Sequence, residues 1–117
     1  MKLSIRKDAL NEAIGQVSRA VSPRPVIPIL AGIKIDADSR GITLTASDTD
    51  ISVQSFIPVE EDGETIVRME SGGSLVLGAK FFSEIVRKLP TDTVELEAPD
   101  VHRAIIRSGN AEIELVG

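Results

Sequence analysis

The stretch that decides the fold is Ala79-Lys80-Phe81-Phe82-Ser83-Glu84-Ile85-Val86-Arg87-Lys88-Leu89-Pro90, with the alternating runs that follow it. Phe81, Phe82, Ile85, Val86 and Leu89 recur at helical spacing, and Pro90 stops the run because it can neither donate to a helix nor follow a helical residue comfortably. Three strands are expected next, at Val94–Ala98, His102–Arg107 and Ala111–Val116. The same order stands upstream. Met1–Ile5 alternates as a short strand, and Leu10, Ala13, Ile14, Val17, Ala20 and Val21 form a helical stripe over 8–21. Ser22-Pro23-Arg24-Pro25 ends that helix, and Pro28 extends the stiff loop. Strands are then predicted at Leu30–Ala37, Ile42–Ser47 and Ile51–Val59. Between the halves lie an acidic turn, Glu60–Gly63, and strands at Thr65–Met69 and Ser74–Gly78. The pattern predicts an α+β domain: a βαβββ order repeated twice, giving two helices packed on two antiparallel sheets. Residues 1–117 form one domain of ordinary size, with no linker or low-complexity segment.

Composition excludes several classes. No Cys is present, so disulfides, thiolate metal sites and a Cys nucleophile are out. The first ten residues lack the apolar run and cleavage site of a signal peptide, and no stretch is long enough to span a bilayer, so a soluble, cytoplasmic protein is expected. Three Phe with no Tyr or Trp leave few platforms for stacking unpaired bases. The net charge of −5 argues against a simple high-affinity nucleic-acid binder. Its distribution says more. Residues 1–35 and 80–89, each containing a helix, are net basic, whereas 36–79 and 90–117 are net acidic. If both helices lie on one side, that side is weakly basic and can follow phosphates without reading bases. Solvated helix faces would give the same pattern.

Catalytic and metal chemistry find no support. His102 is the only His and has no triad partner in a local motif, so it reads as a surface-strand residue. Asp48 and Asp50 flank a turn and lack further ligands, so no metal or cofactor is expected. Gly72-Gly73 and Gly78 make no phosphate-binding pattern and read as turn glycines. The chain stops at Leu115-Val116-Gly117, in or just after an apolar strand; native domains more often end in a polar tail, so the natural protein is expected to continue.

Four strings in order, residues 24–30 (RPVIPIL), 45–51 (TASDTDI), 80–90 (KFFSEIVRKLP) and 106–109 (IRSG), resemble the N-terminal domain of the bacterial sliding clamp family, the beta subunit of DNA polymerase III. The resemblance covers Met1 to Gly117 and is closest in flavour to Gram-positive members. It implies a three-domain protomer that dimerises head to tail into a ring around duplex DNA, with helices lining the hole and sheets outside. It also implies a non-catalytic processivity factor, opened by a separate ATP-using clamp loader, that tethers the replicative polymerase through domains absent here. Carried over by position, Arg24 is the foremost DNA contact and Arg87 a channel-lining arginine, with Lys88 and Arg19 added from charge and helix position. The ring interface falls on Ile113 and Leu115, with Ile85 and Leu89 behind them and Lys80 and Arg103 as charged partners. Asn110 and Glu112 stand where some relatives carry arginines, which puts the interface's electrostatics in question. Two alternatives remain open on the residues alone: Arg24 as a helix C-cap, and Ile113 and Leu115 as ordinary half-buried strand residues. A free-standing interaction domain that adds a partner strand at its apolar edge is the rival function.

Overall fold

The computed structural model describes residues 1–18, 32–47, 52–100 and 103–116. Strand β1 (Lys2–Arg6) runs directly into helix α1 (Lys7–Ser18), and three strands follow: β2 (Gly32–Asp38), β3 (Gly41–Ser47) and β4 (Ser52–Pro58). A two-residue ladder, β5 (Glu60–Glu61) with β6 (Glu64–Thr65), precedes β7 (Val67–Ser71) and β8 (Gly73–Gly78). Helix α2 (Ala79–Arg87) then leads to β9 (Thr93–Asp100), β10 (Arg103–Ser108) and β11 (Ala111–Val116). The α+β expectation holds, as does the repeated element order. The acidic turn is itself a hairpin: Asp62 and Gly63 both take positive φ (53° and 80°), the backbone that a two-residue hairpin loop demands and that Asp-Gly supplies cheaply.

All the strand pairings are antiparallel, and they fall into a five-stranded sheet in the order β11-β10-β9-β1-β7 and a four-stranded sheet in the order β4-β3-β2-β8. The lead strands are exchanged. β1 of the first half pairs with β9 of the second, and β8, leading the second half, pairs with β2 of the first. The registers correspond: Leu3 faces Leu96 and Ile5 faces Val94, as Leu75 faces Ile35 and Leu77 faces Ile33. β7 is an addition outside the repeat, held at the far edge of the larger sheet by β1. Because each half completes the other's sheet, neither can bury its apolar face alone, and the two fold as one unit.

The helices confirm the repeat. Leu10, Ile14 and Val17 of α1 are buried, and at one constant sequence offset so are Phe82, Val86 and Leu89 of α2 and the residues just after it. Together with the inward positions of both sheets they make a single core rich in Ile, Leu and Val. The helices also touch each other. Lys7, opening α1, donates from Nζ to the carbonyl of Leu89 at 2.7 Å, and its backbone N–H donates to Asp92 O at 2.7 Å. A cation thus sits just past the C-terminus of α2, where the helix dipole is negative.

Candidate subunit interface and helical face

The two halves differ at their outer edges. In the first half, α1 packs closely on β3 and β4. Ser55 of β4, nearly buried, donates its hydroxyl to Gln16 Oε1 at 2.5 Å, and Ile57 and Ala13 are buried beside it. In the second half, β11 occupies the place of β4. Matching the registers of Ile42 with Ile57 and of Ala104 with Leu115 makes Leu115 the counterpart of Ile57 and Ile113 that of Ser55. On the helix, Ile85 is the counterpart of Ala13. Here all three positions are apolar, with Ile85 and Ile113 larger than Ala13 and Ser55, and α2 makes no comparably close approach to β11 among the described residues. Ile85, Ile113 and Leu115 are only partly buried against the core. Like β4, β11 is a terminal strand of its sheet, and its outer row of backbone groups is unpaired among the described residues. One flank of the domain closes on itself; the other is left open and apolar.

Of the expected interface residues, the structure brings Ile85, Ile113 and Leu115 to this open flank. Leu89 is 4% exposed and belongs to the core behind it. Arg103 is exposed and already pairs with Glu114 of the neighbouring strand, Nε to Oε1 at 3.5 Å. The side chain of Lys80 lies outside the described residues, as do Arg24, Arg19, His102, Asp48 and Asp50.

Cations divide into two kinds. On the outer sheet faces most are matched to carboxylates: Lys2 with Glu70, Lys34 with Asp36, Arg40 with Asp38, Arg103 with Glu114. Arg6 holds Asp8 at 2.7 Å and Glu64 at 3.0 Å, and its hydrogen bond depresses the Asp8 carboxyl below the ordinary carboxylate range. Arg107 donates from Nε to Glu112 at 2.7 Å and from a terminal nitrogen to Glu97 at 2.9 Å, and that hydrogen bond likewise holds the Glu97 carboxyl low. Arg87 and Lys88, at the end of α2, are exposed and make no ion pair with any described residue. Arg68, on the outer face of β7, is the one sheet cation that shares this condition among the described residues.

The basic character inferred for the first helical segment is redistributed by the fold. Lys2 and Lys34 lie on sheet faces, Arg6 is neutralised and Lys7 caps α2, while the described exposed positions of α1 include Asp8 and Glu12. A segment's net charge overstated its helix because strand and turn cations were counted with it. The network of Arg107, Glu97 and Glu112 escaped sequence reading. Its signal was present: acids on β9 (Glu95, Glu97), bases on β10 (Arg103, Arg107) and acids on β11 (Glu112, Glu114) alternate across adjacent strands. No cluster of His, Asp and Glu able to hold a metal occurs among the described residues. No helix of the described residues is long and apolar enough to cross a membrane.

Two half-domains with exchanged lead strands, paired helices, outer faces whose charges are largely matched, and an apolar edge make a modular, internally repeated α+β domain. The chain belongs to the family described as "DNA polymerase III beta subunit, N-terminal domain", whose model matches residues 1–117. It is 55% identical over 117 residues to the beta sliding clamp of Bacillus subtilis (strain 168) and 47% identical to that of Halalkalibacterium halodurans; each match covers all of this chain and 31% of the relative. Among solved structures it matches the DNA polymerase sliding clamp of Bacillus subtilis with a TM-score of 0.94 at 54% identity, covering 99% of this chain and 30% of that one. It matches the beta subunit from DNA polymerase of Streptococcus pyogenes with a TM-score of 0.90 at 34% identity, covering 100% of this chain and 30% of that one. The chain therefore spans just under a third of the relatives it matches.

Proposed function

We propose that this chain is the first domain of a three-domain sliding-clamp protomer, two of which close head to tail into a ring around duplex DNA. The ring is a non-catalytic processivity factor: enclosure, not tight binding, keeps it on DNA, and it tethers the replicative polymerase through the other domains. The observation that carries the reading is the open flank, where Ile85, Ile113 and Leu115 stand half-buried beside a strand edge unpaired among the described residues, while the equivalent flank of the first half is filled. A second copy's strand laid along β11 would complete both the sheet and the apolar layer. A free-standing interaction domain would use the same edge; family membership favours the ring.

DNA contact in this reading falls to Arg24, Arg87, Lys88 and Arg19. Arg87 and Lys88 carry charge uncommitted to any described carboxylate, as a sliding surface requires. Phosphate contacts of this kind are sequence-independent and exchange quickly. Interface roles fall to Ile113, Leu115, Ile85 and Leu89, with Lys80 and Arg103 as charged partners. The working place is the cytoplasm, at the nucleoid; no cofactor is required, and a clamp loader supplies the ATP-driven opening.

The test is charge reversal in the full-length protein. Arg24→Glu with Arg87→Glu should shorten retention on closed circular DNA and reduce the slope of its logarithm against salt by about 1–2 units, since roughly one counterion is released per phosphate contact. Unchanged retention and slope would remove both residues from the DNA face.

A further inference from the structure

The larger sheet's outer face carries a network whose position matters for the open edge. Arg107 lies on β10, opposite Glu112 of β11 in register, and Glu95 and Glu97 of β9 lie on its other side. Its guanidinium bridges three strands: Nε to Glu112 Oε1 at 2.7 Å and a terminal nitrogen to Glu97 Oε1 at 2.9 Å. The planar fork of arginine suits two acceptors on opposite sides; an ammonium would serve them less directionally. Of the three side chains, Glu97 is 27% and Arg107 34% exposed, so the bridge is partly shielded, whereas Glu112 is 62% exposed at the edge. Nearby, Glu114 is matched by Arg103. Both acids of the edge strand are thus answered from within the chain. The opposite face of the same strand presents Ile113 and Leu115.

We propose that Arg107 is the positioning residue of the β11 edge. It ties the terminal strand to the middle of its sheet and satisfies Glu112 internally, so that the edge meets a second copy of the protein through backbone groups and apolar side chains. Glu112 then forms no ion pair across the interface. The inference rests on the ring reading and adds which residue sets the geometry of its interface. The depressed carboxyl of Glu97 agrees with a charge held by the bridge.

The experiment is a double-mutant cycle on the full-length protein, with ring dissociation measured by sedimentation and β11 amide exchange by mass spectrometry. A closed two-membered ring carries the network at both interfaces. Losing both partly exposed ion pairs of Arg107 at each is expected to raise the dissociation constant of Arg107→Gln about tenfold. β11 amides should exchange faster while those of β1 and β9 do not change. Arg107→Lys, keeping the charge without the fork, should fall between. Glu112→Gln added to Arg107→Gln should cost nothing further, because the two act through one contact. Wild-type dissociation by Arg107→Gln would overturn the proposal with the ring intact, and so would additive effects of the two substitutions, which would place Arg107 in direct contact with the partner. Wild-type protein that stays monomeric at all concentrations would overturn the ring reading itself.

Discussion

Lys7 shows how much one side chain does in this fold. It leaves the charged exterior of its own helix and donates to Leu89 O at 2.7 Å, just past the end of α2. The contact is partly buried and opposes the negative end of the helix dipole, so its loss is worth about 1 kcal/mol. Lys7→Met is expected to lower the melting temperature of this chain by about 4 °C, readable by circular dichroism; an unchanged midpoint would show that water replaces the ammonium without loss. The segment so anchored carries Arg87 and Lys88, the proposed DNA contacts, immediately before Leu89. From sequence Lys7 was one more cation in a basic segment. Its true partner is distant along the chain, and only the exchanged strands bring the two together.

At the scale of elements, β11 and the turn before it decide whether the edge is presented correctly. Gly109 takes φ +57°, and a Cβ there would come within 2.9 Å of Thr91 Cγ2. Thr91 itself holds the nearly buried Ser108, Oγ1 to Oγ at 2.5 Å, so the neighbour has little freedom to retreat. Gly109→Ala should therefore cost roughly 1–2 kcal/mol in left-handed strain plus that crowding, and β11 amides should exchange faster than they do in the unsubstituted chain while those of β9 change little. Unchanged β11 exchange would show the turn to be dispensable.

This is also the scale at which sequence was most informative. Helix and strand positions were legible because apolar spacing of 3.6 and 2 residues survives in α1, α2 and β9–β11, and Pro90 and Asp62-Gly63 punctuate them. The exchange of lead strands was not legible, because β1 and β8 read as plain alternating strands whichever sheet they join. Among candidate site residues, Ile113 and Leu115 could be read as alternating. Their half-buried state, against the filled flank of the first half, required the fold. Arg87 and Lys88 were visible as charges; that they are unmatched among the described residues, unlike most sheet cations, emerged only from the pairing of the strands.

For the whole molecule, the proposed ring depends on one edge of this domain. Ile113→Asp with Leu115→Asp places two charges where a partner's apolar layer would sit. Burying unpaired carboxylates costs several kcal/mol, so the full-length double variant should sediment as folded protomers with a near-native circular dichroism spectrum. A dimer at the wild-type concentration range would move the interface elsewhere.

The most direct test of the central claim, retention by enclosure, compares full-length protein loaded on nicked circular DNA before and after the DNA is cut once. Protein should stay with the circle through gel filtration at moderate salt and be lost on linearisation, because an enclosing ring held by weak phosphate contacts slides off an end. Equal retention on circular and linear DNA would contradict it, showing a binder held by contacts and not by topology.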